Sequence, residues 1–413
     1  MFKKILALTL TVVMIAALCV SFASCSLSSK KGEGKEILPR KEIKSDVEVP
    51  ADFKIGLITL HDENSTYDKN FIDAFKQVCV AMGISEENFI IKSNIPEGVE
   101  CYNTAKDLAN RGCKIVFADS FGHEQYMAQA AAEFKNVQFC HATGVTAKTL
   151  NLPNFHNAFA AIYEGRYLAG IVAGMKLNEM IAEGKITAEQ AVMGYVGAFT
   201  YAEVISGLSS FYLGAKSVCP SVTMKVRFTG SWYDQGLEQE AANSLISTDK
   251  CVLISQHADS LGAPTACQQA GVPNVSYNGS TYSAGKTTWL VSSAINWAPY
   301  FQYIIEETVK GNNFDTDWTG TIETNSVVLS GLNLDVVADG TEAKVQEALD
   351  GFKAGTLHVF DTSTFTVDGA ALTSATCPYV HNGYFDESNA AVFMSAPYFS
   401  YEIDGIEFLN SKY

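Results

Sequence analysis

The chain has 413 residues, 47% of them apolar and 18% charged, with 29 basic against 45 acidic residues and a formal net charge of −16. That composition can bury a large core and excludes disorder over most of the length. It also argues against nucleic acid as a partner, whose phosphates call for cationic surface.

In chain order, Lys3 and Lys4 precede an apolar run from Ile5 to Val20, followed by small residues ending at Ser24. A short positive stretch, an apolar segment and small residues before a break describe a secretory signal, so residues 1–24 are expected to be removed. Ala23-Ser24 directly before Cys25 is similar to the lipobox of bacterial lipoproteins, with Phe22 standing where Leu is usual. Cys25 is therefore the expected lipidation site, and the membrane a partner through that lipid. An uncleaved anchor helix is the alternative, because Ile5 to Ala23 nearly reaches the roughly 20 residues a span needs. On either reading the remainder is extracytoplasmic.

Residues 25–51 read as a flexible charged tether: between Lys30 and Glu48, eleven of nineteen residues are charged, with Gly32, Gly34 and Pro39 among them. Few apolar groups cannot offset the ordering entropy. With signal and tether set aside, the folded part keeps 21 basic and 40 acidic residues, a net charge of about −19.

From Phe53 onward, short apolar runs alternate with helical patterns. Strands are predicted at Phe53–Leu60, Phe89–Lys92, Ile115–Ala118, Val137–His141, Val192–Phe199, Thr223–Thr229, Val252–Gln256, Asn274–Asn278 and Trp289–Ser292. Helices are predicted at Asp68–Met82, Cys101–Arg111, His123–Phe134, Tyr163–Ala182, Ala202–Lys216, Leu237–Ser247, Gly262–Ala270 and Trp297–Lys310. Continuous apolar strands separated by helices imply an α/β protein whose mostly parallel sheets are flanked by helices on both faces. The two series of units, one ending near residue 160 and one starting near Gly194, suit two lobes. The last eighty residues read as mixed strand and turn, with hairpin chemistry at Phe365–Gly369.

Ten cysteines occur without a CxxC pair, and several sit in apolar runs, so buried free thiols are expected. There is no GxSxG, HExxH or GxGxxG, and Gly279–Thr287 has one residue too many between its glycines for a phosphate cradle. No catalytic residue, metal or cofactor is expected.

The loops at strand carboxyl ends, where open α/β sheets bind ligands, are richer. His61-Asp62-Glu63-Asn64-Ser65-Thr66-Tyr67 follows the first strand and enters a helix with Asp68 as its expected N-cap and Phe71 one turn in. Asp119-Ser120-Phe121, Ser231-Trp232-Tyr233-Asp234 and His257-Ala258-Asp259 follow later strands. Aromatics beside acids and amides suit a flat polar solute, with rings on its faces and carboxylates on its donors.

The residues Asp68-Lys-Asn-Phe71, Phe155-His-Asn-Ala158, Tyr163-Glu-Gly-Arg-Tyr-Leu-Ala-Gly170, Gly230-Ser-Trp-Tyr-Asp234 and Val291-Ser-Ser-Ala-Ile-Asn-Trp297 resemble the basic membrane protein family of ABC-transporter substrate-binding lipoproteins, typified by purine nucleoside receptors. The resemblance runs from about Phe53 to about Trp297. It implies a two-lobed periplasmic-binding-protein-like fold of type I, crossing between lobes near Tyr163, Ser283 and Asn325. Lobe 1 would hold residues 52–162 and 284–325; lobe 2 would hold 163–283 and 326–413. It also implies that Phe71 and Trp232 sandwich a base and that Asp62 binds ribose hydroxyls. Asp259, Asn278 and Lys286 are candidates for a further acid and a lysine. The family's Asn after the stacking Phe is Ile72 here.

The expected ligand-binding set is Asp62, Asn64, Phe71, Asp119, Phe121, Trp232, Asp234, His257, Asp259 and Asn278. The expected function is capture of a small ring-bearing solute, first a purine nucleoside, for an ABC permease. An extracytoplasmic sensor with the same fold is the alternative, and a nucleoside hydrolase a remote one.

Overall fold

A computed structural model describes residue 34, residues 36–386, residue 395 and residues 397–410. The signal segment, Cys25 and its expected lipid lie outside the described residues. The chain opens with β1 (Glu36–Leu38), then runs β2 (Lys54–Ile58), α1 (Thr66–Ala81), β3 (Phe89–Lys92), α2 (Val99–Asn110), β4 (Cys113–Ala118), α3 (Glu124–Glu133), β5 (Gln138–Ala142), α4 (Ala147–Leu150) and β6 (Phe155–Ala160). It continues through α5 (Ile162–Ala182), β7 (Val192–Gly197), α6 (Ala202–Val218), β8 (Thr223–Phe228), α7 (Gln235–Ser247), β9 (Leu253–His257), α8 (Gly262–Ala270), β10 (Asn274–Tyr277) and β11 (Trp289–Ile295). Then come α9 (Ala298–Lys310), β12 (Asp317–Gly320), β13 (Val327–Gly331), α10 (Thr341–Lys353), β14 (Val380–His381), β15 (Tyr384–Phe385) and β16 (Ile406–Phe408).

Lobe 1 is a six-stranded sheet in the order β12-β6-β5-β4-β2-β3, and lobe 2 an eight-stranded sheet in the order β1-β13-β11-β10-β9-β7-β8-β16. All pairs in lobe 1 are parallel. Its central strands β2 and β4 are buried on both faces over most of their length, which is why they read as apolar runs. Gly56 in β2 is required by packing: a Cβ there would meet Leu108 Cδ1 of α2 at 2.8 Å.

In lobe 2, α5 and α6 lie backbone against backbone. A Cβ on Gly170 would strike the Phe211 carbonyl, and one on Gly214 the Tyr167 carbonyl. From α5, the buried Arg166 reaches through the sheet to Ser255 Oγ (2.7 Å), Tyr195 OH (3.2 Å), the Ser276 carbonyl (3.2 Å) and Ser293 Oγ (3.3 Å). One guanidinium thus ties β7, β9, β10 and β11 together. Its two terminal nitrogens meet acceptors, while its buried Nε has no hydrogen-bond partner among the described residues.

Beyond the opening passage from β1 in lobe 2 to β2 in lobe 1, the chain crosses between lobes at Ala161, at Asn296–Trp297 and in the link from β12 to β13. The second crossing corrects the expectation of one near Ser283. β11 stays in lobe 2, pairing parallel with β10 and antiparallel with β13, and only α9 packs on lobe 1, through Phe301 against Phe75 and Phe117.

Part of the expected tether is a strap. Residues Glu36–Leu38 pair antiparallel with β13, and Ile37, Leu38, Ile43 and Val49 pack on the core. Asn325, in the third crossing, accepts from the Lys41 amide (2.7 Å) and donates to the Pro39 carbonyl (3.0 Å). Gln302 of α9 donates to the Lys44 carbonyl (2.7 Å). Four apolar side chains and an edge strand with open hydrogen-bonding groups supply what the charge count hides. At the other end, Val367 and Ala370 bridge across Asp368-Gly369, both with positive φ, the hairpin turn expected there. The eight cysteines among the described residues are free and buried. No helix among the described residues is long and apolar enough to cross a membrane.

Candidate functional site

The carboxyl ends of both sheets face each other across a narrow cleft, whose empty space of about 380 Å³ includes open solvent at its mouth. Lobe 1 lines it with Leu60, His61, Tyr67, Asp68, Ser120, Phe121 and Thr143; lobe 2 adds Glu203, Trp232, His257, Asp259 and Asn278.

The entry to α1 sets the lobe 1 wall. Ser65 is the N-cap, accepting from the Asp68 amide at 3.2 Å, while its hydroxyl donates to Asp68 Oδ2 at 2.5 Å. Asp68, expected as the cap, instead turns back to accept from the His61 amide at 2.7 Å, with its other oxygen 3.3 Å from His61 Nδ1. This reciprocal pattern fixes the loop. It also brings Tyr67 into the cavity, its hydroxyl donating to the Asp119 carbonyl at 2.7 Å. Thr143 sits at φ +67, a conformation a β-branched residue adopts only when its surroundings impose it, and it lies on the cavity wall.

On lobe 2, Asn278 (φ +66) donates from Nδ2 to Asp259 Oδ1 at 3.1 Å, and its buried Oδ1 has no protein partner among the described residues. Trp232 packs edge-on to Phe199 at 4.9 Å, Phe199 stacks on Tyr201 at 5.2 Å, and Tyr201 stacks on Phe121 of lobe 1 at 5.1 Å. A row of rings therefore spans the rim from one lobe to the other. The lobes also touch through hydrogen bonds. Thr66 donates from its amide (3.0 Å) and hydroxyl (3.2 Å) to the Asp259 carbonyl, and Asn70 donates to the Asn278 carbonyl at 2.6 Å. The structure is a closed clamshell.

Acids dominate the electrostatics. Burial, then the charges of Asp68 and Glu238, hold the Asp259 carboxyl well above the usual carboxylate range. Burial pushes Asp68 up too, but hydrogen bonds from His61 and Ser65 outweigh it, leaving Asp68 below its ordinary value. Burial lowers His257, with the nearby Glu203 partly opposing it. Among the described residues lining the cavity there is no lysine or arginine.

Of the ten residues expected from sequence, Phe121, Trp232, His257, Asp259 and Asn278 line this cavity, and the other five do not. Phe71 is fully buried and stacks on Trp297 at 4.2 Å, because one turn of helix separates it from the wall; Tyr67 holds the position expected for it. Asp62 and Asn64 bond to each other at the outer edge of the loop, with Asn94 beside Asp62. Asp119 lies beneath the cavity floor, accepting from the Leu60 amide, and burial raises its carboxyl well above the usual range. Asp234 caps α7 through the Leu237 amide at 2.9 Å. Lys286 is exposed, away from the cavity, its carbonyl taken by Asn333.

Leu60, His61, Tyr67, Asp68, Ser120, Thr143 and Glu203 were missed as lining residues. Four of them belong to loops already singled out. Glu203 follows the strand end at Gly197, a fifth carboxyl-end loop that carried the same aromatic and acidic signal.

A family model for PnrA-like ABC transporter substrate-binding proteins matches residues 58–352. The chain is 31% identical over 329 residues to a purine-binding protein of Brucella abortus (strain 2308), covering 77% of this chain and 85% of that one. It is 33% identical over 207 residues to a putative ABC transporter glucose-binding protein of Haloferax volcanii, covering 50% of this chain and 49% of that one. Among solved structures, an ABC transporter solute-binding protein from Conexibacter woesei superposes with a TM-score of 0.60 at 22% identity, over 74% of this chain and 98% of that one.

Proposed function

The chain belongs to the family of PnrA-like ABC transporter substrate-binding proteins, and from that premise we propose that it is a lipid-anchored, extracytoplasmic receptor that captures a purine nucleoside between its lobes and delivers it to a permease. The observation that carries this reading is the composition of the cavity. Tyr67 and Phe121 from lobe 1 and Trp232 from lobe 2 supply flat apolar faces. Asp68, Asp259 and Asn278 supply acceptors.

A nucleoside presents the complementary set, a planar ring with N–H donors and a sugar with hydroxyl donors. Each ring contact contributes roughly 1 kcal/mol beyond burial, and each hydrogen bond to a charged group about 1.5–3 kcal/mol. Closure brings both sets together and excludes water. The purine-binding relative supports the same choice of ligand.

A thermal-shift series with inosine, guanosine, adenosine, free bases, uridine and glucose tests it. A ligand that binds only the folded form at a hundred times its dissociation constant stabilises by about 2.7 kcal/mol. The purine nucleosides are expected to raise the melting temperature and glucose to leave it unchanged; a shift with glucose alone would replace the nucleoside with a sugar.

A further inference from the structure

His257 is wedged between α6 and Tyr277. Its ring lies 4.5 Å from the Tyr277 ring, and a Cβ on Gly207 would meet its Nδ1 at 2.8 Å, so only glycine leaves room for it. The imidazole has one remaining direction, and there Nε2 stands 3.3 Å from Glu203 Oε1. Glu203 lies in the first turn of α6 with its side chain 12% exposed, on the cavity wall.

The cavity thus holds acidic side chains from both lobes, Asp68 on one side and Glu203 on the other, beside Asp259, whose carboxyl is held well above the usual range by burial, with no lysine or arginine among its described lining residues. The nearest buried cation, Arg166, has its two terminal nitrogens committed to Ser255, Ser276, Ser293 and Tyr195. A ligand bearing an anionic group would meet this acidic wall without a counter-charge, an arrangement that strongly disfavours binding in a desolvated site.

We propose that Glu203, oriented by His257, is the lobe 2 residue that selects an uncharged, donor-bearing solute and turns away its phosphorylated form. This rests on the nucleoside reading above and adds to it a named selector and a class of rejected ligand. His257 is a positioning residue: it fixes one oxygen of Glu203 so that the carboxylate keeps a single orientation toward the cavity.

Titration calorimetry of the full chain with inosine and inosine 5′-monophosphate tests this in three proteins. Wild type is expected to bind inosine and to bind the monophosphate at least about a hundredfold more weakly. Glu203→Gln, which keeps the shape and removes the charge, is expected to lose about tenfold in inosine affinity while the gap to the monophosphate narrows by about tenfold. Glu203→Asp, which keeps the charge and shortens the reach, is expected to lose inosine affinity and retain the gap. Unchanged inosine affinity in both variants, or a gap that persists in Glu203→Gln, overturns the proposal and leaves the nucleoside reading standing. Wild type that binds neither compound overturns the nucleoside reading itself, and this proposal with it.

Discussion

Asp62 and Trp232 both looked like ligand contacts in the sequence, and the fold separates them. Trp232 lines the cavity, whereas Asp62 holds its own loop through Asn64. Trp232→Ala is expected to weaken nucleoside binding by about tenfold or more, and Asp62→Ala by less than about threefold, both read by calorimetry on proteins with unchanged circular dichroism. Equal losses in the two variants would return Asp62 to the site. The loop from His61 to Phe71 was legible as a binding loop from its density of polar groups. Its helix start was not, because two potential caps, Ser65 and Asp68, lie three residues apart. With Ser65 as the cap, Tyr67 stands at the mouth of the helix on the cavity wall, and Phe71, on the same face one turn deeper, lies in the core.

A second residue-scale consequence concerns pH. Glu164, in the first turn of α5 at the first crossing, accepts from the Ile322 amide at 2.8 Å, and burial raises its carboxyl to about 7. A carboxyl raised on folding binds its proton more tightly in the native state. Its contribution is therefore full below the ordinary carboxylate pKa and is lost as pH rises through about 7. Glu238, also raised by burial to about 7, acts in the same window. Glu164→Gln keeps the acceptor and removes the titration. It is expected to flatten part of the fall in melting temperature between about pH 5 and pH 8, a difference on the order of a few kcal/mol. Superimposable melting curves for the two proteins across that range would show that Glu164 is not the group responsible.

At the scale of elements, long helices and central strands were readable because their periodicity is sustained. The pieces that define the lobes were not. β12 is a four-residue edge strand, Asp317–Gly320, too short to carry a pattern, and β1 is hidden among charges. The allegiance of β11 depends on which sheet it pairs with, a long-range choice that leaves no local mark. The glycines in Tyr163–Gly170 were visible as part of a family-like motif, and the structure supplies their reasons: Gly170 lets α5 meet α6, and Gly165 lets α5 approach Val327 of β13. Gly214→Ala, a favourable change by helix propensity alone, is instead expected to destabilise by about 1–3 kcal/mol through overpacking. Denaturant unfolding measures it, and a gain in stability would mean the helices can part without penalty.

For the molecule as a whole, closure is held by few direct contacts between lobes. Thr66 and Asn70 at the head of α1 reach the carbonyls of Asp259 and Asn278, and the ring of Tyr201 covers Phe121. Asn70 is not among the lining residues, so Asn70→Ala removes a closure contact while leaving the cavity wall intact. It is expected to weaken nucleoside affinity by about threefold to tenfold, mostly through faster dissociation. Stopped-flow release rates identical to wild type would place the control of closure elsewhere.

The strap has a mechanical consequence. β1 is fastened to the edge of lobe 2, so any lipid on Cys25 would be moored to that lobe first. The chain from Cys25 to Gly34 can stretch no farther than about 30 Å. Were Cys25 lipidated, so short a mooring would hold lobe 2 near the bilayer as the stationary jaw and leave lobe 1 most of the swinging. The receptor would then meet its transporter from a narrow range of headings instead of tumbling freely at the end of a line.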